Sequence, residues 1–415
     1  MGSKRVPEVR FKGFSEGWDN LTLNSMVKRV KSYSLSRDVE TSKNTGFQYI
    51  HYGDIHKKVA NIIDLKSNLP NIQPGNYELL KTGDLILADA SEDYQGIATP
   101  AIVYEDLPYK LVAGLHTIAL RPESKRVDSL FLYYLINSQV FRKHGYRVGS
   151  GMKVFGISAT NILKFEYVYP TIVEQTQIGN FFKQLDETIA FQQQELDTLK
   201  QTKQGFLQKM FPKEGESVPE IRFSGFSSKW CEQKLKKVFK DFIVPMRDKP
   251  KEFSGTIPWT RIEDIEGRFI NGTTSGQYVS EEIIKSMNLK IMPKGSLIVS
   301  SSATFGIVAI VTNDLITNQT FIGLVPKDMY DIDYLYVFFK SVNIQKKMKR
   351  ASAGSTIFYI SRKQFEEMIG SFPTLEEQTQ IGNFFKQLDE TIALHEQELN
   401  ILKQTKKAFL QKMFV

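Results

Sequence analysis

Two stretches of this sequence set positive charge beside small residues. They are FRKHGYRVGSGMK at residues 141–153 and QKKMKRASAGST at 345–356. Lysine and arginine neutralise phosphates, and glycine and serine let a backbone come close to a nucleic-acid groove. Cations also gather at helix ends for dipole reasons alone, so either stretch by itself could be a solvated helix terminus. Their recurrence in both halves of the chain favours phosphate binding, with Arg147, Ser150, Lys153, Arg350, Ser355 and Thr356 as the candidate contacts. Reading bases needs paired donors and acceptors, or an arginine fork for guanine. The candidates on expected loops are His51, Tyr52, Tyr94 and Gln95 in the first half, and Arg261, Thr304, Asn318 and Gln319 in the second. Each of these, taken singly, reads first as an ordinary surface or turn residue. Tyr94-Gln95-Gly96 and Thr304-Phe305-Gly306 carry more weight, because they follow an expected strand in both halves yet differ in identity.

No pattern in the sequence asks for catalysis. There is no GxxxxGK[ST] loop, no GxGxxG fingerprint and no GxSxG elbow. The Asn/Asp-Pro-Pro-aromatic tetrapeptide of amino-methyltransferases is also missing. The histidines, His51, His56, His116, His144 and His395, lack metal-ligand spacing. The paired carboxylates Glu281-Glu282 and Glu376-Glu377 fall at expected helix starts, where negative charge is stabilised anyway.

The elements that must position these residues come in two copies. PEVRFKGFSEGW at 7–18 returns as PEIRFSGFSSKW at 219–230, each opening a region of mixed α and β character. Landmarks then recur in order. Residues 49–55 match 259–265, the Gly-led strand at 81–87 matches 293–299, Gly96-Ile97-Ala98 matches Gly306-Ile307-Val308, and the proline-stopped strand at 117–122 matches 321–326. An Asp cap is expected to open the next helix at Asp128 and at Asp333.

Each region ends in a long helix. Residues 170–211 and 373–414 differ at nine of 42 positions, which marks a duplicated element. The seam Ile178, Phe182, Leu185, Ile189, Gln192, Leu196, Leu199, Lys203, Phe206, Met210 advances by alternating steps of four and three. Its copy is Ile381, Phe385, Leu388, Ile392, His395, Leu399, Leu402, Lys406, Phe409, Met413. A 3.5-residue period predicts two helices packed on each other, each roughly 50 Å long. In an antiparallel pair the polar interruptions Gln192 and His395 would meet and set the register. The segments are therefore 1–169, the helix 170–211, a polar linker 212–218, 219–372, and the helix 373–415.

A length of 415 residues suits two or three domains. A net charge of +8 favours a polyanionic partner. The single Cys231 excludes an internal disulfide and fits a reducing cytoplasm. The start MGSKRVPEVR has no apolar run, so no secretory leader is expected, and no segment reads as a membrane span.

Taken together, the P-x-x-R-F-x-G-F…W openings, the P-T-x-x-E-Q-T-Q-I that leads both helices at 170–178 and 373–381, and the two-fold repeat make the chain resemble the DNA-specificity subunit of bacterial type I restriction–modification systems. The resemblance covers nearly the whole length. One departure is Ser296, where the first copy has Asp84. The resemblance implies an α+β fold, with two similar mixed α/β target recognition domains separated by a long antiparallel two-helix coiled coil, related by a pseudo-two-fold internal duplication. It implies that each domain reads one half of a split, asymmetric site in double-stranded DNA and that the helices set the unread spacer. It implies partners as well: two modification (methyltransferase) subunits that bind S-adenosylmethionine and methylate adenine, and restriction (nuclease/translocase) subunits that use ATP and Mg2+. This chain would then bind no cofactor and no metal, and would do no chemistry itself.

Overall fold

The computed structural model describes residues 6–57, 61–151, 154–301, 306–352 and 359–415, without the side chain of Gln95. By compactness the chain divides into two units, Met1–Phe191 with Leu399–Val415, and Gln192–Glu398. Each unit therefore takes one end of each long helix.

The first unit is built on a five-stranded sheet in the order Val27–Val30, Thr117–Pro122, Leu85–Ala88, Pro100–Val103, Ile62–Ile63. Its pairs are antiparallel except the last, which is parallel. Alternation along a strand sends successive side chains to opposite faces. Leu85 and Leu87 accordingly join the core under helix Ser129–Asn137. Ile86 and Ala88 join a second core with Ile50, Ile55, Leu80 and Leu111. Both faces are covered, which is why this strand reads as an unbroken apolar run. The second unit repeats the plan with strands Phe239–Ile243, Phe321–Pro326, Leu297–Ser300, Val308–Val311, Phe269–Ile270 and Ile265–Glu266. Leu297 and Val299 face helix Ile332–Lys340, and Ile298 faces Met292, Ala309 and Leu315.

Superposing the copies through their strand pairings corrects two of the expected matches. Leu85 pairs with Ile102 as Leu297 pairs with Ile310, so the residue equivalent to Gly306 is Ala98 rather than Gly96. Both take positive φ, +56° and +87°. Residue identity favours Gly96, two positions away, but the strand pairing decides for Ala98. The helix cap of the second copy is Asp331, whose carboxylate accepts from Tyr334 N–H at 2.7 Å as Asp128 accepts from Phe131 N–H at 2.9 Å. Asp333 lies inside the helix and pairs with Arg268 instead, at 2.8 Å. The change of Asp84 to Ser296 also has a physical partner. Buried Asp84 is held by Arg121 at 2.6 and 2.9 Å, and the residue equivalent to Arg121 is Val325. A buried carboxylate with no cation would be costly, and serine avoids that by donating to Pro293 O.

The long helices are Ile172–Lys209 and Leu375–Lys412, 38 residues each. In the first unit, Phe181 packs on Phe409, Phe182 on Phe414, and Asp186 pairs with Lys406. In the second, Phe206 packs on Phe384 and Lys203 pairs with Asp389. The start of one helix thus meets the end of the other in each unit, which makes the pairing antiparallel. His395 Nδ1 stands 3.1 Å from Gln192 Oε1. All the seam positions are buried or half-buried. The two lysines tolerate the seam because each finds a carboxylate there.

The motifs repeated in the two copies hold one another. Glu174, fully buried, takes two hydrogen bonds from the Arg10 guanidinium at 2.6 and 2.8 Å and one from Trp18 Nε1 at 3.2 Å. Glu377 is held alike by Arg222, at 2.7 Å twice, and by Trp230 at 3.3 Å. The next residue on each helix, Gln175 or Gln378, accepts from the backbone N–H of the capping Asp128 or Asp331 and donates to Pro170 O or Pro373 O. So the Arg and Trp of each opening motif and the Glu-Gln of each helix form one joint between domain and helix.

Candidate nucleic-acid interface

In the first domain the sequence candidates gather around two short elements. His51 precedes the turn of helix Tyr52–His56, and its Nδ1 accepts from Gly53 N–H at 3.1 Å. Its own N–H donates to Asp54 at 2.9 Å. This leaves the ring nearly buried, and burial, with Arg37 nearby, pushes its pKa below the usual histidine value. Tyr52 lies at the centre of an aromatic group, 4.4 Å from His51, 5.2 Å from His116 and 5.9 Å from His56 between ring centroids. His51 and Tyr52 line a cleft of about 490 Å³ together with Arg37, His56, Lys57 and the acidic pair Glu92-Asp93. Arg37 is held there by Glu40 and Asp54, both at 2.7 Å.

Tyr94 belongs to another corner. Its hydroxyl donates to Tyr146 O, and its ring stacks on Tyr146 at 5.2 Å. This ties the short turn Tyr94–Gly96, which contains Gln95, to the last turn of helix Gln139–Val148. Arg147 in that turn is exposed and pairs with no carboxylate among the described residues. Ser150, also exposed, makes an isolated bridge with Gly156. Lys153 lies outside the described residues.

The second domain distributes its candidates differently. Arg261 donates to Gln277 at 2.7 Å and stands 3.7 Å from Glu263, so its fork is already engaged. Arg350, at the end of helix Val342–Ala351, holds Glu214 of the linker at 2.8 and 3.0 Å. Asn318 is half-buried and its side-chain oxygen accepts from Thr320 N–H at 3.1 Å, whereas Gln319 is exposed. Gln319 lines a cleft of about 560 Å³ with Arg247, Tyr359 and Arg362. Thr304, Ser355 and Thr356 lie outside the described residues.

Arg37 and Arg247 were not among the sequence candidates, although a signal for them was present. Each is followed by aspartate and stands fourteen residues before the matched His51 or Arg261. Tyr359 and Arg362 had no such mark, since their place in the cleft depends on chain pairing far from them. Among the described residues no group of three or more His, Cys, Asp or Glu is placed to hold a metal ion. No helix among them is long and apolar enough to cross a membrane.

Two copies of one mixed α/β domain, each joined to an antiparallel helix pair and each carrying a cleft of cationic and aromatic residues, define a duplicated recognition protein. The family model for the type I restriction modification DNA specificity domain matches the chain twice, over residues 15–201 and 228–404, and the chain belongs to that family, the specificity subunits of type I restriction–modification systems. It is 31% identical over 169 residues to the type I restriction enzyme MjaIX specificity subunit of Methanocaldococcus jannaschii, an alignment covering 40% of this chain and only 39% of that relative. Among solved structures it is similar to the type I restriction–modification S subunit of M. genitalium, at 16% identity with a TM-score of 0.61 over 99% of both chains. A chain solved in work on complex assembly and conformational transition of the type I system matches at 17% identity and a TM-score of 0.56, over 95% of this chain and 97% of that one. The solved structures speak to the fold alone.

Proposed function

We propose that the two domains read the two halves of a split, asymmetric sequence in double-stranded DNA, and that the paired helices set the unread spacer between them. Two modification subunits dock on the helices and methylate adenine with S-adenosylmethionine, and restriction subunits join them with ATP and Mg2+. The chain supplies address rather than chemistry. The observation that carries this reading is the repeated joint. Arg10, Trp18 and Glu174, and again Arg222, Trp230 and Glu377, fix each domain to its helix by the same contacts, while the clefts differ in their residues. One scaffold with two different reading surfaces suits two different half-sites.

The test is a methylation map. The chain is expressed with its cognate modification subunit in a host lacking other methylases, and the genome is sequenced with detection of modified bases. A motif of two short specific halves around a fixed unspecified gap is expected, and exchanging residues 19–168 should change one half only. No new methylation from a complex shown to assemble would overturn the reading.

A further inference from the structure

The cleft of the second domain has the chemistry of a base reader. Its floor is apolar and buried, formed by Phe321, Ile322 and Ile360. Its walls are pinned by hydrogen bonds. Ile360 N–H donates to Ser301 O at 2.8 Å, Ser301 Oγ to Thr320 O at 3.1 Å, and the Asn318 side chain holds Thr320 N–H. Gln319 sits on this fixed turn, exposed, with no hydrogen bond from its amide among the described residues. Arg247 is likewise exposed and paired with no carboxylate among them. Among the described residues no acidic side chain lines the cleft, and Arg362 there is tethered to Glu366 at 2.7 Å. The first domain's cleft, lined by other elements, is opposite in character. There Arg37 is neutralised by Glu40 and Asp54, and Glu92 and Asp93 line the wall. A primary amide offers a donor and an acceptor side by side, the pattern that matches the N6 and N7 edge of adenine in the major groove. A free guanidinium beside it suits a backbone phosphate.

We propose that Gln319 is a specificity-determining residue of the second domain, selecting adenine at one position of its half-site, with Arg247 holding an adjacent phosphate. The proposal rests on the DNA-reading function argued above and names the group that does part of the reading.

The experiment uses the full chain in complex with its modification subunit and a library of DNA duplexes randomised at the specific positions. The wild-type complex must first return a split motif. If it does not, the functional reading fails before this proposal is reached. With that motif in hand, Gln319→Ala should lower the preference for adenine at one position of one half-site by roughly 5- to 150-fold and leave every other position unchanged. Gln319→Glu, which keeps the shape of a surface side chain but removes the donor, should move the preference at that position from adenine toward cytosine. Arg247→Ala should weaken binding to all sequences alike and flatten the salt dependence by about one phosphate contact. A split motif that is unchanged at every position in both Gln319 variants overturns the proposal while the family reading stands. An Arg247→Ala complex with altered base preference overturns the assignment of the phosphate.

Discussion

Buried charge decides most at the scale of single residues. Glu174 and Glu377 have no exposure, and each depends on one guanidinium. Removing that guanidinium leaves a carboxylate in a low-dielectric joint, which costs about 3–5 kcal/mol. Arg10→Ala should therefore lower the unfolding midpoint of the first domain, and Arg222→Ala that of the second, as followed in urea by the fluorescence of Trp18 or Trp230. An equal loss in both domains from either variant would contradict the pairing. His51 makes a prediction about acidity. Its folded pKa lies below the ordinary value, because the ring is buried and Arg37 is close. The unfolded chain then binds the proton more readily, so stability is complete above about pH 6.5 and falls as pH drops below it. His51→Asn retains an N-cap acceptor without the titration. Thermal melts of this variant should vary less between pH 7 and 5 than those of the parent.

Elements meet through glycine in two places. A Cβ on Gly179 would lie 2.8 Å from Phe131 N and from Leu130 Cβ, and one on Gly382 would lie 2.7 Å from Tyr334 N. These glycines let the capped end of each domain helix rest directly on the long helix. Alanine has the better helix propensity by about 1 kcal/mol, but a Cβ this close to a backbone nitrogen costs about 1–3 kcal/mol in overpacking, so Gly179→Ala and Gly382→Ala should both destabilise, by up to about 2 kcal/mol net. Gly205, in the same helix, would meet nothing within 4 Å. Gly205→Ala should stabilise by about 0.8–1.0 kcal/mol, and the second copy already has Ala408 at that position. Denaturant midpoints of the three variants decide the matter. At this scale the helices were the most legible part of the sequence, since a heptad seam depends only on spacing within one segment. The joint was legible only as words. The sequence carried Arg10, Trp18 and Glu174, but nothing local said that residues 156 and 164 positions apart would meet. The cleft was harder still. Asn318 and Gln319 are neighbours of similar chemistry, and only the turn reveals that one is a structural cap and the other is exposed.

For the whole molecule, the duplication has a measurable corollary under the proposed function. Seven residues add about 10.5 Å to a helix, or about three base pairs of duplex. Inserting one heptad into both long helices should lengthen the unread spacer of the methylated motif by about that amount and leave both half-sites unchanged. An insertion into one helix alone should break the seam and abolish methylation. A spacer of unaltered length after paired insertions would sink the ruler.

The first compact unit is discontinuous along the chain, and this bears on how the molecule is made. It needs Leu399–Val415, with Met413 and Phe414 buried in its core, Val9 N–H bonded to Lys412 O and Val415 N–H to Tyr167 Oη. The second unit is one uninterrupted stretch, Gln192–Glu398. On a ribosome working from the N-terminus, the domain translated second has all its parts first. The domain translated first waits, with an apolar groove open where Phe182 and Phe131 will receive Phe414, until Leu399–Val415 has emerged as well.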